Sequence, residues 1–378
     1  IKVGRTKEDT ALIYSEKPCT CAGVFTKNRV QAEPVKLTRS RTSRGKARAI
    51  IANSGNANAC TGKQGADNAL RMSASVAKAL QIPEDEVLVA STGVIGQQLP
   101  VELIENHMEE LVSGLSTAGN EKARVAIMTT DTVYKECAIE TIIDGKKVHI
   151  GTMAKGSGMI HINMGTMLGF ITTDCAISAP MLEKALKTSI AGTYNCVSVD
   201  GDTSTNDSLV IMANGMAENK VIIEPDEDYY TFLEALNQIN TEMARKIAGD
   251  GEGAEHLIEC TVTGAKDVET GRNLAKSVIS SSLVKAAFFG KDANWGRILC
   301  ALGYSGEFFT PEKTSVSFTN SKGTEKVFDH GVPLNFDEEK TKIILSEKEI
   351  KILIEMEDGD GVGTAWGCDL TCEYVEIN

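Results

Sequence analysis

Nothing in the chain approaches the roughly eighteen uninterrupted apolar residues that a membrane span needs, and the N-terminal residues lack the basic, apolar, small-residue order of a secretory signal. Because the chain opens on Ile1 without a methionine, a trimmed N-terminus is expected. A basic face is missing as well. The 378 residues carry a formal net charge of −13, which argues against nucleic acid, whose phosphates reward clustered lysine and arginine. The most basic stretch, Arg39 to Arg48 (RSRTSRGKAR), reads as a solvated loop rather than an anion site. Ten cysteines are scattered singly, with no Cys-x-x-Cys pair and no histidine spacing that would make a zinc site. Most sit in apolar runs such as ECAIETII and HLIECTV, where a thiol behaves as a small hydrophobe. The reading is a reducing, cytoplasmic compartment, with no metal.

Common catalytic signatures are also absent. There is no Gly-x-x-x-x-Gly-Lys-[Ser/Thr] phosphate loop, no Gly-x-Ser-x-Gly elbow and no His-Glu-x-x-His helix. The five histidines are dispersed, and only His161 stands near a glycine-rich segment, where it reads as an ordinary loop residue. No repeat of fixed period and no low-complexity tract is present.

What remains is an ordinary globular composition, 42% hydrophobic and 24% charged, long enough for two domains or one large one. Strand-like runs occupy 47–54, 86–92, 136–143, 146–153, 167–173, 256–264, 314–320 and 349–356. Asp144-Gly145 between two of them is a hairpin signal. Helical spacing recurs at 65–80, 100–115, 180–192, 227–247 and 269–286; in the fourth, Tyr229, Phe232, Leu233, Leu236, Ile239 and Met243 make one apolar face. Ser178 and Pro180 mark the start of the third. Strands paired as hairpins with helices between them predict a layered α/β (α+β) fold with much antiparallel pairing. Eight glycine-rich polar segments read as loops by composition, among them ANSGNANACTG (52–62), SVDGDTSTNDS (198–208) and GDGVGTAWGCDLT (359–371). Their number exceeds ordinary turn-making, and small residues let backbone N–H groups approach a ligand.

One junction stands out. A glycine- and methionine-rich segment ends at Gly165, and Thr166 opens an apolar run that is hydrophobic on both faces and so belongs inside a sheet. A nucleophilic threonine with no histidine needs another base. Its own α-amine, titrating near pH 7.7–8.0, serves if the preceding peptide bond is cut. Gly165 can hold the strained backbone that exposes its carbonyl to the threonine hydroxyl.

The motifs KGSGMIHINMGTMLGFITTD (155–174), STGVIG (91–96), DGDTSTND (200–207), GEGA (251–254), DANWGRI (292–298) and TAWGCDLT (364–371) together closely resemble the ornithine acetyltransferase (ArgJ) family of arginine biosynthesis. The resemblance runs from CAGVFTKNRVQAEPVKLTR (21–39) to the C-terminal EYVEIN. It implies a mixed-sheet sandwich of the DmpA/ArgJ-like type with an autoprocessed N-terminal threonine nucleophile. Scission falls at Gly165–Thr166, leaving an α fragment, 1–165, and a β fragment, 166–378, that stay associated as a dimer or tetramer of α/β pairs. Thr166 then takes acetyl from N-acetylornithine and passes it to glutamate, with no cofactor; acetyl-CoA is a co-substrate if the enzyme is bifunctional. Thr92 and Gly93 match the family's oxyanion hole, and Thr129, Lys155, Thr166, Glu252 and Asn378 its substrate-binding positions. The family has a short further tail after the position of Asn378, usually proline at that of Ile162, and usually alanine at that of Gly165. Two rival readings compete with this: a self-cleaving aminopeptidase or amidohydrolase of the same fold, and a nucleotide-binding module built on the glycine segments.

Overall fold

The computed structural model describes residues 7–161 and 167–378. Its strands are β1 (Thr10–Phe25), β2 (Lys46–Asn56), β3 (Val87–Val94), β4 (Lys135–Ile143), β5 (Lys146–Lys155), β6 (Ile160–His161), β7 (Leu168–Thr173), β8 (Val197–Thr203), β9 (Ser208–Ala213), β10 (Leu257–Ala265), β11 (Ser315–Asn320), β12 (Gly323–Asp329), β13 (Val332–Pro333), β14 (Glu349–Glu355) and β15 (Gly361–Cys368). They form two mixed sheets, one in each of two compact units. The fold is α/β, as the alternation of strand and helix patterns predicts.

The first unit comprises 7–156, 167–191 and 203–243. Its seven strands run in the order β3-β2-β1-β9-β7-β5-β4. Apolar runs such as RAIIAN lack alternation because both faces are covered. Ile50, Ala52, Leu88 and Ala90 enter one core, while Ala49, Ile51, Val87 and Val89 enter another with Met72 and Val76 of helix Gly62–Leu80. The period-two pattern of the pleat is intact, with apolar residues at both phases. Asp144 and Gly145 turn the β4–β5 hairpin with φ of +50° and +68°, the geometry that Asp-Gly favours. β7 lies inside the sheet, paired with β5 on one side and β9 on the other. That is where its two-sided hydrophobicity predicts it.

The second unit comprises 157–161, 192–202 and 244–378. Its strands run β13-β12-β11-β14-β10-β15-β8-β6. Helix Val268–Ser280 packs on β10 and β15. The approach is close enough that a Cβ on Gly363 would stand 2.0 Å from the Arg272 nitrogen.

Two sequence expectations are corrected. The basic run is no solvated loop: its first half belongs to helix Glu33–Thr42 and its end to β2. Arg41 is buried, its guanidinium on the Val87 carbonyl at 2.5 Å and the Glu84 carboxylate at 2.9 Å. Several glycine-rich segments read as loops are strand in large part: 361–368 is β15, 52–56 closes β2 and 198–203 belongs to β8. In β15 glycine serves for close approach rather than for turning, as at Gly361, Gly363 and Gly367.

Candidate active site

Gly165 and Thr166, with Ile162, lie outside the described residues. The positions around them are defined by strand ends in the first unit. At the C-terminal end of β3, Gly93 faces Gly55 of β2 across a parallel ladder. Their φ values are +131° and +95°, and a Cβ on Gly93 would stand 2.3 Å from the Gly55 carbonyl carbon. Only glycine fits. Thr92, one residue earlier, is half-buried.

Asn206 ties this end to its neighbours. Its amide donates to the carbonyls of Ser91 at 2.8 Å and Ala57 at 2.5 Å, and the Ser91 hydroxyl donates to Asn53 Oδ1 at 2.6 Å. Two residues further on, the Ser208 N–H donates to the Met167 carbonyl at 2.9 Å. Leu168 then pairs with Ser208 on one side and with Lys155 on the other. The strand that begins just after Thr166 is thus held between Lys155 and a segment hydrogen-bonded to the residue before Thr92.

Lys155 and Thr129 meet through Asp131. The Asp131 carboxylate accepts from Lys135 Nζ at 2.7 Å, Gly156 N at 2.7 Å and Thr129 N at 3.0 Å, and lies 4.0 Å from Lys155 Nζ. Burial opposes its ionisation, but the ammonium groups of Lys155 and Lys135 and the Gly156 N–H outweigh that opposition. They hold the carboxyl far below the usual range. Lys155, itself buried, is thereby held at the end of β5.

The second unit brings Glu252 and Asn378 together. The Asn378 amide donates to Glu252 Oε2 at 2.8 Å, and to the Tyr374 carbonyl of its own helix, Cys372–Ile377, at 3.1 Å. Glu252 N donates to the Ser157 carbonyl at 3.3 Å. The Glu252 carboxylate lies so near Gly158 that a Cβ there would come within 2.3 Å of it. The Tyr374 hydroxyl is pushed up to about 12, by burial first and then by the carboxylates of Asp200, Glu252 and Asp202. Asp200 is a loop anchor, accepting from the N–H groups of Met159, Ile160 and Asp202 at 2.5, 2.9 and 3.1 Å. His161 sits on β6 with Nδ1 3.0 Å from the Ser198 hydroxyl. Burial, helped by Lys276, lowers its pKa to about 4, so the ring is neutral at physiological pH.

Of the positions singled out from sequence, the structure thus joins Thr129 with Lys155 and sets Thr92 beside Gly93 in one unit, and joins Glu252 with Asn378 in the other. Asp131 and Asn206 had gone unnoticed as organisers. The carboxylate four residues before Lys135 was a readable signal for the first. Asn206 lies inside a motif but reaches strands more than a hundred residues away, which no local pattern reports.

The ArgJ family model matches residues 1–378. The arginine biosynthesis bifunctional protein ArgJ of Caldanaerobacter subterraneus subsp. tengcongensis is 49% identical over 376 residues, covering 100% of this chain and 93% of that protein. The protein of the same name from Thermotoga neapolitana is 48% identical over 379 residues, covering 100% and 95%. A crystal structure of the arginine biosynthesis bifunctional protein ArgJ from Bacillus halodurans is 43% identical, covers 56% of this chain and 99% of the solved chain, and superposes with a TM-score of 0.54.

Proposed function

This chain belongs to the ArgJ family, and from that premise we propose that it is a glutamate N-acetyltransferase of arginine biosynthesis working through an acetyl ester on Thr166. This reading is favoured over the hydrolase and nucleotide-module alternatives by relatives at nearly half identity over the whole chain. The observation that supports the site is the pairing of Leu168 with both Lys155 and Ser208, which brings the ends of two of the family's motifs to the start of β7.

The chemistry begins with scission: the Thr166 hydroxyl attacks the Gly165 carbonyl, and water releases the resulting ester. Fragments 1–165 and 166–378 result, with a new α-amine on Thr166. That amine takes the Thr166 hydroxyl proton as Oγ attacks the acetyl carbonyl of N-acetylornithine. The alkoxide that forms faces the Thr92 hydroxyl and the Gly93 N–H, donors set in place before reaction. When the tetrahedral carbon collapses, the C–N bond breaks and ornithine leaves as the amine, carrying the proton. Glutamate's amine then attacks the acetyl ester, and Thr166 is restored.

Lys155 suits a substrate carboxylate and Glu252 an ammonium group. Thr129 and Asn378 are the other substrate-binding positions carried over from the family. Acetyl-CoA enters the same ester-forming step as an alternative donor in the bifunctional role carried by the relatives' names. The two fragments work as associated pairs in the cytoplasm. Among the described residues no helix is long and apolar enough to cross a membrane.

Intact mass spectrometry of denatured protein, before and after incubation with N-acetylornithine, tests the reading. Two masses meeting at Gly165/Thr166, with acetyl gained only by the larger fragment, are expected. A single unmodified full-length mass would reject it.

A further inference from the structure

Where β10 begins and β15 ends, two buried polar atoms, one on His256 and one on Asp369, have no protein partner. Leu257 and Cys368 are paired across these strands, so His256 and Asp369 emerge side by side. Their residues are only 5% and 3% exposed. His256 Nδ1 lies 2.8 Å from the Glu347 carbonyl. A carbonyl only accepts, so Nδ1 carries a proton, which leaves Nε2 as the nitrogen able to take a ligand. Asp369 Oδ1 accepts from the N–H groups of Glu255 and His256 at 2.9 and 3.0 Å. Its Oδ2, like His256 Nε2, is buried and unsatisfied. The cation close by, Lys285, donates to the Cys368 carbonyl. A buried imidazole nitrogen and a buried carboxylate oxygen left without partners are each costly, and one cation reached by both would satisfy them together.

The exposed carboxylate of Glu255 joins them, and the three donor atoms lie within 4.8 Å of one another. Ligands bonded at about 2.1 Å to one ion stand at most about 4.2 Å apart, so side-chain adjustments of well under about 1 Å close the set. We propose that Glu255, His256 and Asp369 bind one divalent first-row cation of the Mn²⁺–Zn²⁺ class. One imidazole and two carboxylates suit that class, whereas Mg²⁺ and Ca²⁺ favour oxygen alone. The outer contacts are of the kind that support a metal: a backbone carbonyl fixes the histidine tautomer, and two backbone N–H groups orient the aspartate.

The ion would fasten the 251–256 segment to the C-terminal tail. It would add to the Asp369 bonds with the Glu255 and His256 N–H groups, the Thr371 hydroxyl on the Gly253 carbonyl at 2.7 Å and Asn378 on Glu252. The binding site stands on its own; only its effect on substrate rests on the reading of Glu252 above.

The full chain, dialysed against a chelator and then against buffer, is titrated with Mn²⁺, Co²⁺ and Zn²⁺ by equilibrium dialysis and calorimetry. One ion per chain is expected, with a Co²⁺ spectrum free of thiolate-to-metal bands. Glu255→Gln, at an exposed position, and Asp369→Asn, which keeps the oxygen that accepts the backbone N–H groups, each weaken binding by roughly 10- to 100-fold; circular dichroism confirms that both variants are folded. Folded wild-type protein that takes up none of the three ions in stoichiometric amount overturns the proposal, leaving water between the two groups. Uptake undiminished in both variants overturns it too, and would assign the metal to the exposed Cys60, Cys300 or Cys372.

Discussion

Thr92 and Asp131 act on different quantities, and their replacement separates them. Thr92 is half-buried at a strand end, so Thr92→Ala keeps its fold and loses one donor to the developing alkoxide. The expectation is a fall in kcat of roughly 10²–10³-fold with little change in melting temperature; an unchanged kcat would remove Thr92 from the oxyanion hole. Asp131 holds three backbone or lysine donors at full burial. Asp131→Asn leaves Lys135 without its carboxylate partner, at a cost of about 3–5 kcal/mol near neutral pH. The sign with pH follows from the depressed folded-state pKa. The carboxylate's contribution is complete above the unfolded value of about 3.9 and is lost as pH falls from there through the folded value. Urea midpoints of the wild type should therefore drop below about pH 4 more steeply than those of the variant, and parallel curves would contradict this. A third expectation concerns the nucleophile. If the Thr166 amine is the base, kcat rises with pH through roughly 7–8, and Thr166→Ser cuts and turns over slowly while Thr166→Ala does neither. At this scale the sequence spoke through motif resemblance. Thr129, Lys155 and Glu252 were named without any geometric reason, and Asp131, which supplies the reason for the first two, sat unread within TTDT.

Elements were legible in proportion to how far their local pattern agreed with their burial. The eight apolar runs all became strands, and the five helical patterns all became helices, although 100–115 and 269–286 each divide in two. β1 was missed because Ser15-Glu16-Lys17-Pro18 interrupts it, and its register with β2 slips between Tyr14 and Cys19. β15 was missed because glycine depresses strand propensity. Here glycine answers to a distant partner, since Gly363 lies against the backbone of Gly271 and Arg272, and one chain read locally carries no trace of that contact. The same logic makes a prediction at the β2–β3 end. Gly93→Ala should abolish activity and lower the melting temperature, because the added methyl meets the Gly55 backbone and the φ is one that alanine resists. Alanine in the open positive-φ turn at Gly96 serves as the control, carrying the strain without the collision. Equal effects of the two would mean that strain alone, not close approach, dictates glycine.

At the scale of the whole molecule, the proposed cut separates β5 from β7 and β1 from β9, strands joined by continuous ladders. Each fragment alone would bare an unpaired strand edge inside what was a covered sheet, a template for aggregation. The fragments should therefore co-elute under native conditions and separate only when the sheet is unfolded; a fragment 1–165 that is soluble and monomeric by itself would refute the argument. Length allowed two domains or one large one, but gave no sign of the interleaving in which three separate stretches of chain build each unit. Nothing in composition marks where a chain leaves one sheet for another. There is one last consequence of β7 being paired on both sides. The start of a polypeptide ordinarily frays and trades its amide protons with water within moments. Here the amides from Leu168 to Thr173 would begin only two residues into the new fragment, yet belong to its slowest-exchanging class.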